Sequence, residues 1–525
     1  MKHFYAVITL CVFTVFGMKA QTQITISDPD TWTTSQLSKY VGQTVTFLTP
    51  LYVTNNYNYT SGRLSVSPHR IYSPTNQAVP LTNAYSDIVR LNNNSEMTLS
   101  GISDYHRMGE RIIGLTCKVN STTSLTAVGT VKFAGNTRDD MRATTPDMLV
   151  DSKGTHTLLV CAFNLEYYLV ENLGTGYGPD DEYESARQHK KIMDALSRIK
   201  ADIFGFVEIE RGQAALRKIA QSLSATTGKT YDFINDGGSS YSSYTKSGYV
   251  YCSSTVEPVG NMRANDAQVS NRKMMQAFRE KSSGEIFIFS INHFKAKSGT
   301  ATGLNADQGD GQGTFNYTRT LEAQSVLAQY QTNTTYYGDD DILIMGDLNA
   351  YAKEDPIRTL TENGMTDLHR YFHADSAYSY VYHNQAGYLD HALANSTLLP
   401  QITGMSAYHI NSDEHDRFTY DKSTDETMFR SSDHDPVLVG LRLNASYVEP
   451  DNHINNFEVI TEGTTPRILH AMGGYYLIHN INGLCQLQGT ISNDDFHIST
   501  PLPAGLYIVT VYHNGETKTF KLIVR

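Results

Sequence analysis

The sequence predicts an α/β protein in three parts: a central α/β domain over 156–443, a β-rich domain over 22–135 before it, and a β domain over 456–525 after it. Three observations carry this. The first part shows short alternating stretches broken by turn clusters; the second interleaves apolar strand-length runs with 3.6-period helices; the last returns to short strands. A chain of 525 residues is also too long for one ordinary core.

In the first part, Thr44-Val45-Thr46-Phe47-Leu48 alternates as a half-buried strand does, and Asn55-Asn56 and the clusters 92–95 and 129–132 read as turns. No helical period is evident there, so the expectation is a small barrel or sandwich. The polar stretch 136–155, with Thr144-Thr145-Pro146, reads as a linker. Next, Leu158-Leu159-Val160-Cys161-Ala162-Phe163 is a buried strand ending at Asn164, and Ile192, Ala195, Leu196 and Ile199 mark a helix. Ile203-Phe204-Gly205-Phe206-Val207 is a strand ending at Glu208, followed by a helix carrying Leu216, Ile219, Ala220 and Leu223. Strands over 286–291 and 342–345 enclose a helix with Ala323, Val326, Leu327 and Tyr330. Val437-Leu438-Val439-Gly440-Leu441 closes the domain near Leu443. Hairpin-like pieces among these elements predict a mixed sheet covered by helices.

Aliphatic and aromatic residues at 40% with 18% charged residues describe a globular chain. A formal charge of −12 excludes tight non-specific coating of DNA, which needs many phosphate-neutralising cations, but allows brief contact through a local cationic pocket. Residues 1–20 read as a secretory signal, with Lys2 and His3, an apolar run over 4–16 and small Ala20; a signal anchor is the alternative. No other window approaches the ~20 apolar residues of a membrane span. Cys117, Cys161, Cys252 and Cys485 fit neither a zinc site nor a disulfide-dense scaffold; one bridge in an oxidising compartment stays open, with its pair undetermined.

The functional signal lies where polar residues meet strand ends. Asn164, Glu208 and His293 follow three strands, Asp347 and Asn349 a fourth, Asp390 sits in Leu389-Asp390-His391, and Asp433-His434 precede the last. One such residue is ordinarily a turn or cap; the ordered set is not plausibly all turns. Glu208, Asp433 and the Asn164 amide are hard oxygen donors, suited to Mg2+, Mn2+ or Ca2+. Two imidazoles beside a phosphate would serve proton transfer near neutral pH, and Asp390 could orient one of them.

Asn164-Leu165-Glu166-Tyr167, Val207-Glu208-Ile209-Glu210, Asn292-His293-Phe294-Lys295, Gly346-Asp347-Leu348-Asn349-Ala350, Leu389-Asp390-His391 and Ser432-Asp433-His434-Asp435-Pro436 resemble the endonuclease/exonuclease/phosphatase superfamily. Asp307-Gln308-Gly309-Asp310-Gly311-Gln312-Gly313, Ala350-Tyr351-Ala352-Lys353-Glu354-Asp355-Pro356 and His409-Ile410-Asn411-Ser412-Asp413-Glu414 extend the resemblance to its secreted bacterial nuclease branch. The resemblance implies a four-layer α/β sandwich and a metal-dependent nuclease acting on DNA, with RNA as a further substrate. It implies metal binding by Glu208 with Asn164 and Asp433 nearby, and His434 oriented by Asp390 to contact the phosphate or activate water. Asp347 and Asn349 would position water and phosphate, His293 would hold or protonate the phosphate, and Arg272 and Lys295 would contact substrate. The implied cofactor is Mg2+ or Mn2+. The C-terminal Pro503-Ala504-Gly505-Leu506-Tyr507-Ile508-Val509 and Lys521-Leu522-Ile523-Val524 resemble a type IX secretion sorting domain, which would engage the secretion machinery and direct the chain to the cell surface or medium; the chain itself is expected to be a monomer. The first domain resembles, loosely, an oligonucleotide-binding-like β domain.

Two departures stand out. Ser243 occupies the place of an acidic partner for His293, and Thr314-Phe315-Asn316 replaces a Cys-Trp pair of the bacterial branch. His391 is read as packing, because its neighbour Asp390 points to the other face of the strand. Loop 307–313 reads as a Gly-rich turn with oxygen donors for a structural Ca2+ as the alternative. The polar loop His409 with Asp413, Glu414, His415 and Asp416 reads as solvated or structural rather than as a second metal site. Two other functions compete with a nuclease: a lipid or other non-nucleic-acid phosphoesterase on the same fold, and a catalytically dead surface-binding protein.

Overall fold

The computed structural model describes residues 22–237, 243–264, 272–443, 458–462, 465–480, 485–493, 495–498, 500–513 and 516–524. The segment 1–20 read as a signal lies outside the described residues. The chain divides into two compact units, Met1–Leu443 and Asn444–Arg525.

Nine short strands between Thr22–Ile24 and Lys132–Ala134 form one sheet around a core of Val45, Phe47, Val53, Leu64, Val66, Leu99 and Val119. One expectation fails here. The supposed turn 92–95 belongs to a 13-residue helix, Asn83–Ser95, capped by the Thr82 hydroxyl accepting from the Tyr85 amide. Ala84, Tyr85, Ile88, Val89 and Leu91 recur at helical spacing, and the run Asn92-Asn93-Asn94 that reads as a turn is the last turn of this helix.

The segment 136–155 is not a tether. Thr137 and Asp140 form a capping box on the helix Arg138–Ala143, and the turn Pro146–Val150 buries Val150 completely. Gly404 and Gly440 admit it: a Cβ at Gly404 would stand 2.3 Å from the Val150 carbonyl oxygen.

The central domain is built on two six-stranded mixed sheets. In the first, Leu158–Tyr168 runs parallel to Ile203–Glu210 and antiparallel to Val437–Leu441. In the second, Ile286–His293 runs parallel to Ile342–Asp347, which pairs antiparallel with Asp390–Ala394. Their inner faces share one core in which Val160, Ile203 and Val439 meet Phe287, Phe289 and Met345. Gly205 makes this close approach possible, since a Cβ there would lie 2.7 Å from the Phe289 ring. The helices Glu182–Ile199 and Ala214–Thr227 bury Ile192, Leu196, Leu216 and Ile219 on the outer face of the first sheet. Asn316–Tyr337 and Asp355–Glu362 cover the second with Ala323, Val326, Ile357 and Leu360.

The C-terminal unit packs a three-stranded and a four-stranded sheet around Ile468, Ile478, Val509, Val511 and Leu522. Cys117, Cys161 and Cys252 are buried free thiols. No described helix is long and apolar enough to cross a membrane.

Candidate active site

Strand register sets the first row of the site. His293 pairs with Asp347, and Asp347 with Asp390, so three functional side chains come from one line across three strands. The second row comes from the facing sheet, where both parallel strands break register close to their functional residues: the first between Asn164 and Tyr168, the second between Phe206 and Ile209. Glu166, Tyr167, Glu208 and Asn349 all adopt left-handed backbone, with φ of 50°, 52°, 56° and 49°. Non-glycine residues held this way cost about 1–3 kcal/mol each and persist where surroundings over-determine them.

The hydrogen bonds supply that determination. Glu208 Oε2 accepts from the Tyr167 amide at 3.1 Å. Asn164 Oδ1 accepts from the Glu166 amide at 3.0 Å, while Asn164 Nδ2 donates to Asp347 Oδ2 at 3.2 Å. Asp347 also receives the Asn349 amide at 2.9 Å and its side-chain Nδ2 at 3.1 Å. Ser432 Oγ donates to the Asn164 carbonyl at 2.7 Å, tying the Asp433-His434 turn to the bulge. His434 Nδ1 lies 2.7 Å from Asp390 Oδ2, which also receives Ser379 Oγ at 2.7 Å. This leaves His434 Nε2 free of Asp390 and 3.8 Å from Asp433. His293 Nε2 stands 3.6 Å from Glu208 Oε1 and 3.7 Å from Asp347 Oδ2.

Electrostatics separates the groups. Burial, then Asp433 and Asp347, push the Glu208 carboxyl up to about 7. Burial likewise lifts Asp347 to about 6, with Asp390 and Asp433 adding to the rise and His434 opposing it. Burial alone would lower His434, but Asp390, Asp433 and Asp347 hold it well above an ordinary imidazole. His293 is held well below, first by burial and then by Arg272, His434 and Lys295.

Neighbouring acids push the Glu208 and Asp347 carboxyls further up, which marks a site short of positive charge, and every donor is oxygen: Glu208, Asp347, Asp433 and the Asn164 amide. These residues fit a hard divalent ion. Asp347, Asp390 and His434 also bring ligand atoms within 4.8 Å of one another, but the Asp390 contact occupies His434 Nδ1 and reserves that pair for proton chemistry.

Other residues are placed as follows. Arg272 donates to the His293 carbonyl at 3.0 Å and the Phe294 carbonyl at 2.9 Å, pinning the strand end. Lys295 Nζ lies 4.4 Å over the Phe315 ring. Ser243 Oγ accepts from the Thr245 amide, and His293 faces Glu208 and Asp347 instead of an acid at that position. His391 is buried and binds the Ala350 carbonyl at 2.7 Å, consistent with packing. Loop 307–313 is held by Asp turns, Asp307 accepting from the Gly309 amide and Asp310 from the Gln312 amide, with Gln312 also bonding Asp310 and Asp355, and it contributes to no three-ligand cluster among the described residues. The polar loop is structural and buried rather than solvated: Asp413 receives Tyr378 and Asn136, both at 2.8 Å, and Glu414 pairs with Arg107 at 2.7 Å. Asp435 receives the Asn411 and Ser412 amides at 2.8 and 3.0 Å.

Three site residues escaped the sequence reading of roles. Glu166 stands among Asp433, Arg430 and Glu208, and burial lifts its carboxyl to about 8. Tyr380 stacks on the His434 ring, centroids 4.6 Å apart. Arg430 neighbours Glu166 and Asp433. The available signals were nearness in sequence, Glu166 two residues after Asn164 and Arg430 four before His434.

Oxygen donors for a cation, an aspartate-held imidazole and a second imidazole, set on facing mixed sheets, define a phosphoester hydrolase. Residues 162–434 match the profile of the Endonuclease/Exonuclease/phosphatase family, and the chain belongs to that family. Its members hydrolyse phosphoesters and are typically divalent-metal dependent. No curated protein matches the chain. Similar solved structures include the Bacteroides thetaiotaomicron VPI-5482 mannosyl-6-phosphatase, 14% identical, with TM-score 0.37, covering 55% of this chain and 100% of that one. The human Nocturnin catalytic domain with bound sulfate is 12% identical, with TM-score 0.37, covering 57% and 99%. D. rerio TDP2 complexed with single strand DNA product is 12% identical, with TM-score 0.36, covering 55% and 99%. At these identities the likeness says nothing of this chain's substrate.

Proposed function

We propose that the protein is a secreted, divalent-metal-dependent nuclease that hydrolyses phosphodiester bonds of extracellular DNA, with RNA as a further substrate. The observation that carries this is the gathering of Glu208, His293, Asp347, Asn349, Asp433 and His434 in one cleft of about 610 Å³. Glu208, with Asp433, Asp347 and Asn164, would hold Mg2+ or Mn2+. A bound divalent ion polarises a non-bridging phosphate oxygen and stabilises the developing charge.

The chain's own groups divide the remaining work. Asp347, immobilised by the amides of Asn164 and Asn349, orients the attacking water. Asp390 fixes the His434 ring so that Nε2 presents a proton toward the phosphate. His293, kept neutral, accepts or relays a proton beside Glu208 and Asp347.

Export is supported by the charged-then-apolar segment 1–20. Delivery by a sorting domain is supported by the two-sheet unit that ends in Gly505–His513 and Glu516–Val524. The reading is tested by incubating purified protein with plasmid, oligonucleotides, a sugar phosphate and a phosphoinositide, each with Mg2+, Mn2+ or EDTA. Chelator-sensitive cleavage of nucleic acid is expected. Intact nucleic acid under every divalent condition overturns it, and hydrolysis of the sugar phosphate or the lipid alone reassigns the substrate.

A further inference from the structure

The first domain lines the catalytic cleft. Thr75 and Tyr85 border the same cleft as Glu208, His293 and Asp347. Asn55 and Tyr57 border a second hollow, of about 730 Å³, with Asp433 and Arg430. Tyr380, Tyr382 and Asp433 belong to both, so the hairpin formed by Tyr380–Tyr382 and Gln385–Gly387 separates two spaces that meet at the catalytic acids.

This juxtaposition is held by main-chain bonds. The Ser73 amide donates to the Ala386 carbonyl and the Ala386 amide to the Ile71 carbonyl, both at 2.8 Å, so the first domain adds a strand-like edge to the hairpin. Thr75 Oγ1 donates to Glu354 Oε1 at 2.8 Å, and Asn76 Oδ1 accepts from the Tyr388 amide at 3.2 Å.

Two features of the hollows suit a nucleotide chain. The Tyr380 and Tyr382 rings lie on one face of the hairpin at an interplanar angle of 11°, and Tyr382 and Tyr57 are 56% and 53% exposed. Arg430 donates one long bond, from Nη1 to the Asn411 carbonyl at 3.4 Å, while its buried Nε has no hydrogen-bond partner among the described residues. Aromatic faces beside an under-used guanidinium match the base and phosphate of an unstacked nucleotide.

We infer that the two hollows are nucleotide subsites on either side of the scissile phosphate, with Tyr382 and Tyr57 receiving unpaired bases and Arg430 a phosphate oxygen, so that the substrate is single-stranded nucleic acid. The inference rests on the nuclease reading.

The test uses the full chain with Mg2+ and three substrates: a single-stranded oligonucleotide, its duplex, and bis-para-nitrophenyl phosphate, which has no base. The expected kcat/KM on the single strand exceeds that on the duplex by at least ~10-fold. Tyr382→Ala and Tyr57→Ala should each lower the ratio of single-strand to small-diester hydrolysis by at least ~5-fold, chiefly through KM. Duplex cleaved as fast as the single strand, or an unmoved ratio in either variant, overturns the subsites and leaves the nuclease reading standing. Hydrolysis of the small diester with neither nucleic acid cleaved removes both.

Discussion

Asp390 and His434, 44 residues apart in sequence, meet at 2.7 Å between a carboxylate oxygen and Nδ1. The contact fixes the ring through Nδ1 and leaves Nε2 free of Asp390, and the carboxylate favours the protonated imidazole. Both partners are buried, so water screens little of this interaction.

Asp390→Asn should keep the fold and lower kcat by ~10²-fold or more, because the ring loses both its orientation and its charge support. Burial alone would lower the His434 pKa, and Asp390 is the largest influence raising it. Removing that charge lowers the pKa, so the kcat limb belonging to this ring should move to lower pH. A full pH–rate profile checks it; an unshifted limb would separate the ring from the titration.

Glu208 gives a stability prediction whose sign is unusual for a carboxylate. Burial, then Asp433 and Asp347, raise it from 4.5 to about 7. The folded chain therefore holds a proton that the unfolded chain releases between those values. Stability from this group is present below the lower value and is lost as pH rises through the upper one. Metal-free protein should show a falling Tm from about pH 5.5 to about pH 8, with Mg2+ raising Tm more at the higher pH. Thermal melts in EDTA and in Mg2+ measure both.

Glu208→Gln separates function from stability. It should reduce metal-dependent hydrolysis by ~10³-fold or more, since a charged ligand is lost where several kcal/mol of charge stabilisation is required. In EDTA near pH 8 the variant should melt no lower than the wild type, because a repelled charge has gone. A variant that melts far lower would show Glu208 to be structural.

Gly404→Ala should destabilise by about 1–3 kcal/mol. Its Cβ would meet the Val150 carbonyl oxygen at 2.3 Å, a backbone atom that cannot rotate away. Chemical denaturation gives the value.

Glu414→Ala should be more severe, about 3–5 kcal/mol, because it strands the buried Arg107 and leaves Arg138 without its main partner. Saturating metal should not restore it, the pair lying in the contact between the first domain and the polar loop. Recovery by Mg2+ would contradict that placement.

Much of this site could be read before any coordinates, because His293 and Asp347 close their strands, Asp390 opens one, and Asn164 and Glu208 follow the apolar stretches of theirs, although both strands run on past them. Mixed sheets bring such ends together, and the pairing of His293 with Asp347 and of Asp347 with Asp390 is the physical form of that pattern. Glu166 carries no signal of its own in the sequence, since its place beside Glu208 depends on a register break that no periodicity announces. Helix Asn83–Ser95 hid behind its asparagines. Segment 136–155 looked like a linker because its partners, Gly404 and Gly440, lie more than 200 residues away in sequence.

The most direct test of the central claim is anomalous diffraction from crystals grown with Mn2+. The account predicts one strong peak against Glu208, within reach of Asn164, Asp347 and Asp433 and bordered by the His293 and His434 rings. An empty cleft at saturating Mn2+, or a peak confined to the acidic run of Asp339, Asp340 and Asp341, would contradict it.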